Sequence, residues 1–265
     1  MRQISILGCG WLGLPLAKSL LEKGFSVKGS TTTSEKIIVL EKHGIAAYQI
    51  ELSEQNIKGE IDVFLENSEI LIIDIPPKLR GISSENFIRK IQNLIPFIEN
   101  SSVQKVLFVS STSVYADDNA IASDTTKPQP DTESGKQLLA VERHLQNNVN
   151  FKTTVIRFGG LIGENRHPIH FLAGRQSLPN PDAPVNLIHQ MDCIGIIEEI
   201  INCGFWGETL NAVAPFHPTR KEYYTQKAVE LNLPLPEFAK GTLSMGKTIL
   251  SEKVENVLKY RFMPL

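Results

Sequence analysis

Short apolar runs alternate with amphipathic stretches along the first part of the chain. Several runs are apolar on both faces, as in "EILIID" and "KVLFVSS", which is typical of parallel strands covered by helices on both sides. The strands predicted in this way are Gln3–Leu7, Phe25–Gly29, Ala46–Ile50, Ile70–Ile75, Lys105–Ser110 and Thr153–Phe158. The helices predicted between them are Leu14–Lys23, Ser34–His43, Glu85–Glu99 and Gly135–Leu145. This alternation predicts an α/β fold with a doubly wound parallel sheet.

The pattern changes after Phe158. Glycine, proline and histidine crowd the stretch "GGLIGENRHPIHFLAGRQSLPNPDAP", which predicts irregular connections of the kind that often carry binding groups. Beyond it, the pattern predicts a helix over Asp192–Cys203 with Asp192 as its N-cap, a strand over Thr209–Ala212 and a helix over Thr219–Leu231. The tail "SEKVENVLKYRF" also has a helical period. We expect this part to pack against the sheet.

Length and charge narrow the classes of protein to consider. The chain has 265 residues, 42% of them hydrophobic, which suits one large α/β domain or a main domain with a small appendage. A net charge of −2 favours neither nucleic acid nor a membrane surface as a partner, and no apolar stretch reaches spanning length. Cys9, Cys193 and Cys203 give neither a disulfide framework nor metal-ligand spacing. Without a signal-peptide pattern at its start, we expect the chain to work in the reducing cytoplasm.

The stretch "ILGCGWLG" follows the first predicted strand and opens the first helix. In this setting Gly8 permits a tight turn, Gly10 lets the backbone approach a pyrophosphate, and Gly13 lets the helix pack close to the strand. The helix then offers free N–H groups and the positive end of its dipole to the anion. We therefore predict a dinucleotide site that includes Gly8, Gly10, Trp11, Leu12 and Gly13. The alternative is a glycine turn in an α/β protein without a cofactor.

The end of the second predicted strand bears on the choice of cofactor. NAD sites usually hold an acid there, which binds the ribose 2′-hydroxyl, whereas this sequence has "VKGSTTTSEK". Ser30, Thr31 and Thr32 make room for a 2′-phosphate and can donate hydrogen bonds to it, and Lys36 would add charge. This favours NADP, with NAD as the alternative. These residues could also form only a turn, with Ser34 capping the next helix.

The fourth predicted strand ends in "DIPP". Strand ends at this place in a doubly wound sheet lie over the cofactor, so we add Ile75 and Pro76 to the predicted cofactor-binding residues. Together these features predict a dinucleotide-binding Rossmann domain over residues 1–165. Residues 166–265 would form a smaller, mixed substrate-side region, of which about 186–213 returns to the Rossmann sheet.

Three stretches, "ILGCGWLG", "VLFVSSTSVYA" and "VIRFGGLIGENRHP", together resemble the extended short-chain dehydrogenase/reductase superfamily. In particular they resemble its atypical branch of YeeZ-like proteins, which are homologues of NAD-dependent epimerases and dehydratases. The likeness covers nearly the whole chain. It implies a nicotinamide cofactor and a small-molecule substrate, with nucleotide sugars among the candidates. It also implies that a homodimer through helices of one sheet face would be ordinary.

The resemblance implies roles for single residues. Ser111 falls at the family's serine, which hydrogen-bonds the reacting oxygen; Ser110 precedes it beside the cofactor, and Ser113 falls at a substrate-contacting position. The family's catalytic tyrosine and lysine align with Ser134 and Leu138 in "SGKQLLAVE". A phenol is too weak an acid–base group at pH 7 unless a neighbouring cation lowers its pKa. The alignment therefore predicts that the family's usual proton transfer is absent.

Other side chains near the predicted cofactor could carry the proton. Tyr115 is the nearest phenol in sequence, and His167 lies on the loop that borders the nicotinamide in the family. A neutral imidazole is a suitable acid–base group at pH 7. Arg166 is predicted to bind an anionic substrate, and His189 to contact the substrate. The alternative for both histidines is structural, with His167 capping a turn before Pro168.

Two functions compete on these observations. The first is an NAD(P)-binding oxidoreductase, or a nucleotide-sugar epimerase/dehydratase-like enzyme, that uses Ser111 with Tyr115 or His167 in place of the tyrosine–lysine pair. The second is a non-catalytic NADP(H)-binding redox sensor or scaffold. A dehydrogenase of the hydroxyacid or imine-reducing type opens with a similar loop. That class needs a long helical carboxyl-terminal domain, which the mixed last third of this chain does not predict.

Overall fold

Seven parallel strands form the central sheet of the computed structural model, which describes residues 2–77, 85–241 and 243–264. The strands, in chain order, are β1 Gln3–Leu7, β2 Ser26–Thr31, β3 Ala46–Gln49, β4 Glu51–Leu52, β5 Ile57–Lys58, β6 Ile70–Ile73, β7 Lys105–Ser111, β8 Ile121–Ala122, β9 Lys152–Phe158, β10 Gly160–Ile162, β11 Leu187–His189, β12 Thr209–Ala212 and β13 Thr248–Ile249. The helices are α1 Gly13–Glu22, α2 Glu35–Lys42, α3 Ile61–Leu65, α4 Phe87–Glu99, α5 Glu133–Gln146, α6 Ile169–Leu172, α7 Gln190–Cys203, α8 Arg220–Glu230 and α9 Glu252–Asn256. One turn of 3₁₀-helix, Thr112–Val114, follows β7.

The central sheet has the order β12-β9-β7-β6-β1-β2-β3, and its neighbouring strands are parallel. The chain winds outward in one direction from β1 to β3 and in the other from β6 to β12. The reversal lies between β1 and β6, which pair from Ile4 with Ile70 to Leu7 with Ile73. A doubly wound sheet binds its ligands in the crevice at this reversal. The predicted fold class is confirmed, and it places a candidate site at the carboxyl ends of β1 and β6.

Apolar side chains cover both faces of the sheet. In β6, Ile70 and Ile72 belong to the core layer that includes α1 and α7, whereas Leu71 and Ile73 belong to the layer that includes α4 and α5. All four side chains are fully buried. A strand covered by helices on both sides needs apolar residues at successive positions, which is why the sequence of β6 shows no alternation.

The last third of the chain contributes both to the central sheet and to a separate small cluster. β12 pairs with β9 and extends the main sheet, whereas β11 pairs with β10 outside it. Buried side chains of β10, β11, α6 and α8 form a third core cluster, in which Ile162, Leu187 and Tyr223 take part. Within the described ranges, no helix has both the length and the apolar run needed to cross a bilayer.

Two predicted helix caps are wrong. Ser34 has helical backbone angles and its side chain makes no capping hydrogen bond in the described chain. α7 begins before Asp192, and its cap is His189, whose Nδ1 accepts a hydrogen bond from the N–H of Met191 at 3.2 Å. Here an imidazole takes the place of the usual hydroxyl or carboxylate cap. A search of the sequence for serine, threonine, aspartate and asparagine caps does not find such a residue.

The last helix, α9, ends at Asn256, so the prediction of a helical tail is wrong after that residue. A buried carboxyl group holds the tail beyond this point. Lys259, three residues after the end of α9, has a φ of 56°, in the left-handed region. Oδ1 of Asp192 accepts hydrogen bonds from the hydroxyl of Tyr260 at 3.1 Å and from the N–H of Met263 at 3.0 Å. The helical period of the tail could not reveal an anchor that lies 68 residues away from Tyr260.

A buried ion pair joins β9 to α5. Arg157 donates hydrogen bonds to both carboxylate oxygens of Glu142, at 2.6 to 3.2 Å, and the two side chains are 6% and 1% exposed. Ser110 of β7 donates to the same carboxylate at 2.6 Å. Arg157 also donates to the hydroxyl of Tyr115 at 2.7 Å, and that hydroxyl donates to Asn211 of β12 at 3.0 Å. The network therefore ties three neighbouring strands to one helix.

Glu142→Gln should lower the free energy of unfolding by about 3 kcal/mol, because the guanidinium of Arg157 would become a buried charge without a counterion. Urea denaturation measures this loss. Glu41→Gln, at an exposed position of α2, is the matched control and should change stability by less than about 0.5 kcal/mol. A loss at Glu142 no larger than that of the control would contradict this account of the network.

Candidate functional site

A cleft of about 410 Å³ lies at the carboxyl ends of β1, β2 and β6. Its walls come from the glycine loop after β1, the end of β2, the turn after β6 and the start of α4. The wall residues that the sequence predicts for a cofactor site are Gly8, Gly10, Ser30, Thr31, Thr32, Ile75 and Pro76. The fold thus brings together predicted residues from three separate segments of the chain.

The glycine loop is closely packed at two of its glycines and open at the third. Gly8 has a φ of 108°, and a Cβ there would lie 2.3 Å from the carbonyl oxygen of Asp74. A Cβ on Gly13 would lie 2.2 Å from the carbonyl oxygen of Gly8. Gly10 is exposed, and a Cβ on it would meet no atom of the described chain within 4 Å. The chain itself requires the first two glycines, while the space beside Gly10 is free for a ligand.

α1 begins at this loop with the features of an anion-binding helix terminus. Within the described chain, its first turn holds no acidic residue, and the residue at its N-cap, Leu12, makes no side-chain cap, but the carboxyl of Asp74 accepts a hydrogen bond from the N–H of Gly13. Such a terminus leaves backbone donors and the positive end of the helix dipole for an anion. Leu12 is buried in the core, so a cofactor could meet it only through its backbone.

The three hydroxyl residues at the end of β2, Ser30, Thr31 and Thr32, differ in their contacts. Ser30 is buried, and its Oγ accepts a hydrogen bond from the N–H of Gly8 at 3.0 Å. The Oγ1 of Thr31 accepts a hydrogen bond from the backbone N–H two residues later at 3.3 Å. Thr32 is exposed, and Lys36 lines the same part of the cleft. Ser30 therefore supports the glycine loop, and Thr32 and Lys36 are the groups best placed to meet a ligand.

Asp74 places a carboxyl group next to the start of α1. Burial raises the pKa of this carboxyl to about 7, against the smaller effects of a hydrogen bond from the N–H of Gly13 and of the charge of Arg166. Burial, with a smaller contribution from Asp74, also raises the pKa of the Cys9 thiol to about 12, so this thiol is unreactive at neutral pH. The cleft therefore contains one acid whose charge changes near neutral pH, at the place where an anion would bind.

Ser111 and Ser113 lie at the carboxyl end of β7. The Oγ of Ser111 accepts a hydrogen bond from the N–H of Ser113 at 3.1 Å, which caps the 3₁₀ turn. Gly135 allows α5 to reach this turn, because a Cβ on it would lie 2.1 Å from the carbonyl oxygen of Ser113. Ser110 is buried, with its hydroxyl on Glu142. Ser111 and Ser113 therefore stand at the edge of the sheet beside α5, while Ser110 belongs to its interior.

The two residues that the sequence analysis aligns with the superfamily's tyrosine–lysine pair lie on α5. Leu138 is buried in the core, and Ser134 is partly buried. The hydroxyl of Tyr115 lies in the buried network with Arg157 and Asn211, and burial raises its pKa. A phenol with a raised pKa and partners in the interior is poorly suited to move a proton to a ligand. These contacts give Tyr115 a structural role.

A second cavity, of about 250 Å³, lies between the loop after β10 and α8. His167, His189, Tyr223 and Lys227 line it. The Nδ1 of His167 accepts a hydrogen bond from the N–H of Ile169 at 3.1 Å, which leaves its Nε2 to donate to the hydroxyl of Tyr223 at 3.0 Å. Burial lowers the pKa of His167 to about 4, with a smaller effect from the charge of Lys227. His167 is therefore a neutral imidazole at pH 7, and the turn that it caps fixes its tautomer.

Trp11 connects the glycine loop to the walls of the second cavity. The guanidinium carbon of Arg166 lies 4.8 Å from the centroid of the Trp11 ring. A Cβ on Gly163 would lie 2.8 Å from the same indole. Gln190 donates a hydrogen bond from its Nε2 to the carbonyl oxygen of Trp11 at 2.6 Å. Arg166, which the sequence assigns to a substrate, is thus placed against Trp11 of the glycine loop.

Some residues of the two cavities were not predicted. Tyr223 and Lys227 are four residues apart on α8, a spacing that puts them on one face, but the sequence does not show which loop that face meets. The sequence could have indicated Asp74 as a site residue, because it is the first residue after a buried strand at the carboxyl edge of the sheet. The prediction took its neighbours Ile75 and Pro76 and left the titratable group out.

Comparisons with known proteins give relatives that match over nearly the full length and many proteins of the same fold. No family model matches the chain. The chain is 33% identical over 264 residues to Protein YeeZ of Escherichia coli (strain K12), which covers 99% of this chain and 96% of that protein. UDP-glucuronic acid 4-epimerase from Bacillus cereus in complex with NAD has a TM-score of 0.80 at 16% identity, over 100% of this chain and 94% of that chain. A short-chain dehydrogenase/reductase superfamily protein from Agrobacterium tumefaciens with bound NAD has a TM-score of 0.80 at 13% identity, over 100% and 93%.

In the unchanged protein, the carboxyl of Asp74 makes the free energy of unfolding fall as the pH rises. Asp74→Asn should remove this fall. The pKa of Asp74 is about 7 in the folded chain against an ordinary value of 3.8, so the folded state binds more protons between these values. The stability that this group contributes is complete below about pH 4 and is lost as the pH rises through about 7. The variant should gain on the order of 2 kcal/mol over the unchanged protein between about pH 4 and pH 8, measured by urea denaturation.

The matched control for this measurement is Asp62→Asn, at an exposed position of α3. The asparagine at position 74 keeps an oxygen that can accept the hydrogen bond from Gly13, so the variant changes the charge and little else. Parallel pH profiles for the Asp74 and Asp62 variants would show that the carboxyl of Asp74 is charged throughout this range.

Proposed function

The chain belongs to the YeeZ family and has the fold of the short-chain dehydrogenase/reductase superfamily, and on this premise we propose that it is an NAD(P)-dependent, cytoplasmic oxidoreductase or epimerase-like enzyme. The cofactor would lie along the carboxyl ends of β1, β2 and β6, with its pyrophosphate over the glycine loop. The substrate would be a small molecule. Nucleotide sugars are the leading class, because one protein of the same fold is a UDP-glucuronic acid 4-epimerase. A homodimer stays a prediction of the family resemblance.

The contrast among the three glycines carries the proposal. Gly8 and Gly13 are needed for the chain to pack on itself, but nothing in the described chain fills the space beside Gly10. The start of α1 next to that space supplies backbone N–H donors and a positive dipole end. A plain structural turn would explain the first two glycines and would leave the third without a reason.

The end of β2 supports NADP over NAD in this proposal. Thr32 and Lys36 would meet a 2′-phosphate, whereas Ser30 is occupied by its bond to Gly8. Glu51 lines the same end of the cleft and forms an exposed ion pair with Lys58 at 3.1 Å. The charge of Lys36 supports a phosphate at this end over a ribose hydroxyl.

In the enzyme proposal, a bound nicotinamide supplies the hydride chemistry, and the side chains around it bind and orient the substrate. Ser111 would donate a hydrogen bond to the reacting oxygen, as the superfamily's serine does, and Ser113 would contact the substrate. His167 would hold the proton at Nε2, because the turn that it caps fixes this tautomer of its neutral form. His189 would contact the substrate from the second cavity.

A non-catalytic NADP(H)-binding sensor or scaffold is the second candidate, and α5 favours it. Leu138 occupies the position of the superfamily's lysine and is buried in the core. Tyr115, the nearest phenol, is bound within the interior. Of the acid–base groups predicted from the sequence, this leaves His167, so the enzyme proposal depends on that histidine.

Calorimetric titration of purified, ligand-free protein with NADPH and NADH is the first test. We expect both to bind, with NADPH tighter by about tenfold. Gly10→Val should abolish binding, because the side chain would occupy the space of the pyrophosphate, while its melting temperature should stay within about 2 °C of the unchanged protein. Undiminished affinity in a folded Gly10→Val variant would overturn the site.

Lys36→Met identifies the source of the NADPH preference within the same titration. The variant should bind NADPH about tenfold more weakly and NADH as before, because only NADPH carries the 2′-phosphate. Lys42→Met, at an exposed position of the same helix, is the control. An NADPH preference that survives in Lys36→Met would place the 2′-phosphate elsewhere.

Turnover separates the two candidate functions. UDP-glucuronic acid incubated with the NADP-loaded protein should be converted, as followed by NMR of the sugar and by the absorbance of the reduced nicotinamide. The rate should fall by about 10²-fold in Ser111→Ala and in His167→Gln, because each removes a group that would act on the reacting oxygen. Tight binding of the dinucleotide together with an unchanged sugar and cofactor would favour the sensor or scaffold.

A further inference from the structure

We propose that Arg166, in the turn after β10, binds the pyrophosphate of the dinucleotide and closes over the glycine loop. This would make it a cofactor residue and not, as the sequence suggests, a substrate residue. The inference rests on the proposed function, because it requires a dinucleotide in the cleft. It names a side-chain partner for an anion that the glycine loop alone would hold only through backbone N–H groups.

The backbone presents Arg166 on a tight turn. The N–H of Gly163 donates to the carbonyl oxygen of Arg166 at 2.8 Å, and the N–H of Arg166 donates to the carbonyl oxygen of Gly163 at 3.0 Å. These two bonds enclose only Glu164 and Asn165. Gly163 packs so closely on the indole of Trp11 that a Cβ would lie 2.8 Å away. The turn is therefore fixed against the glycine loop before any ligand binds.

The side chain of Arg166 has a platform on the loop itself. Its guanidinium carbon lies 4.8 Å from the centroid of the Trp11 ring, within the range of a cation–π contact. Trp11 follows Gly10 directly, and Gln190 holds its carbonyl oxygen at 2.6 Å. The stacking orients a flexible side chain against the residue that follows Gly10, which reduces the entropy lost when it binds an anion. A planar guanidinium can then bind two phosphate oxygens at once.

The charge of Arg166 acts at the start of α1. Its electrostatic effect reaches Asp74, whose carboxyl group also takes a hydrogen bond from the N–H of Gly13. The carboxyl of Asp74 and the guanidinium of Arg166 therefore both act at the helix terminus over which a pyrophosphate would bind. Arg166 lowers the pKa of the acid, and with a dinucleotide bound it would offset the phosphates.

Of the two lysines that line the cleft, one forms an ion pair and the other lies at its far end. Lys90 forms an ion pair with Glu85. Lys36 lies at the end of β2, where the proposal places the 2′-phosphate. A pyrophosphate brings two negative charges to a loop that already has the carboxyl of Asp74 beside it. Among the described residues that contact this loop, Arg166 is the one that brings a positive charge to it.

Calorimetric titration of Arg166→Met with NADPH and with ADP-ribose tests this inference. ADP-ribose contains the pyrophosphate and lacks the nicotinamide. Both ligands should bind about tenfold more weakly to the variant, and their affinities should depend less steeply on salt concentration. Arg166→Lys should lie between the variant and the unchanged protein, because it keeps the charge and loses the planar fork. Arg175→Met, at an exposed arginine of the same region, should bind both ligands normally.

The outcomes separate this inference from the proposed function. If the unchanged protein binds neither ligand, the proposed function fails and the inference fails with it. If the unchanged protein binds both and Arg166→Met binds both equally well, the inference alone fails. If Arg166→Met weakens NADPH and leaves ADP-ribose unchanged, the arginine acts at the nicotinamide or substrate end, which also overturns the inference. A melting temperature equal to that of Arg175→Met shows that the variant is folded.

Discussion

The close contact between the ends of β1 and β6 is the constraint on which the candidate site depends. A Cβ on Gly8 would lie 2.3 Å from the carbonyl oxygen of Asp74, and a Cβ on Gly13 would lie 2.2 Å from the carbonyl oxygen of Gly8. Any side chain at either place would push α1 away from the strand ends. Because these two glycines let the loop fold flat against the sheet, α1 begins directly above the reversal of the sheet order. Gly8 and Gly13 are packed against neighbouring backbone, whereas the space beside Gly10 stays free of protein atoms in the described chain.

The same packing sets the electrostatics of the cleft. It buries the carboxyl of Asp74 against the start of α1 and raises its pKa to about 7. An acid at a helix N-terminus is favoured by the dipole, yet burial is the larger effect here, so the group is close to half charged at neutral pH. Arg166, stacked on Trp11, then has two roles that follow from one position. It lowers the pKa of this partly buried acid, and it is placed to bind an anion that would compete with that acid.

The sequence predicts the central sheet well because burial on both faces leaves a strong local pattern. β6 and β7 are found from their apolar runs alone, and the glycine loop from its spacing. Features decided by contacts between distant segments could not be predicted. The hydroxyl of Tyr115 reaches Asn211, 96 residues later in the chain, and no pattern around Tyr115 reveals that partner. The predicted cap at Asp192 failed for the same reason, since its carboxyl is taken by Tyr260 and Met263. Arg166 was identified as an anion-binding residue from its neighbours, but which anion it faces depends on where Trp11 lies.

The buried network restricts where a proton could come from. Leu138 and Glu142 are four residues apart on the inward face of α5, and both are buried, Glu142 in its ion pair with Arg157. The family resemblance aligns the superfamily's proton donor with Ser134 and its lysine with Leu138, so a buried apolar side chain would stand where that lysine is expected. The pair formed by His167 and Tyr223 lies on the opposite side, on the loop after β10 and on α8. An acid–base group there belongs to the region predicted to bind the substrate and not to the rigid sheet. If this protein catalyses a reaction, its proton transfer therefore depends on the packing of the carboxyl-terminal region, whereas its hold on the cofactor depends on the glycine loop.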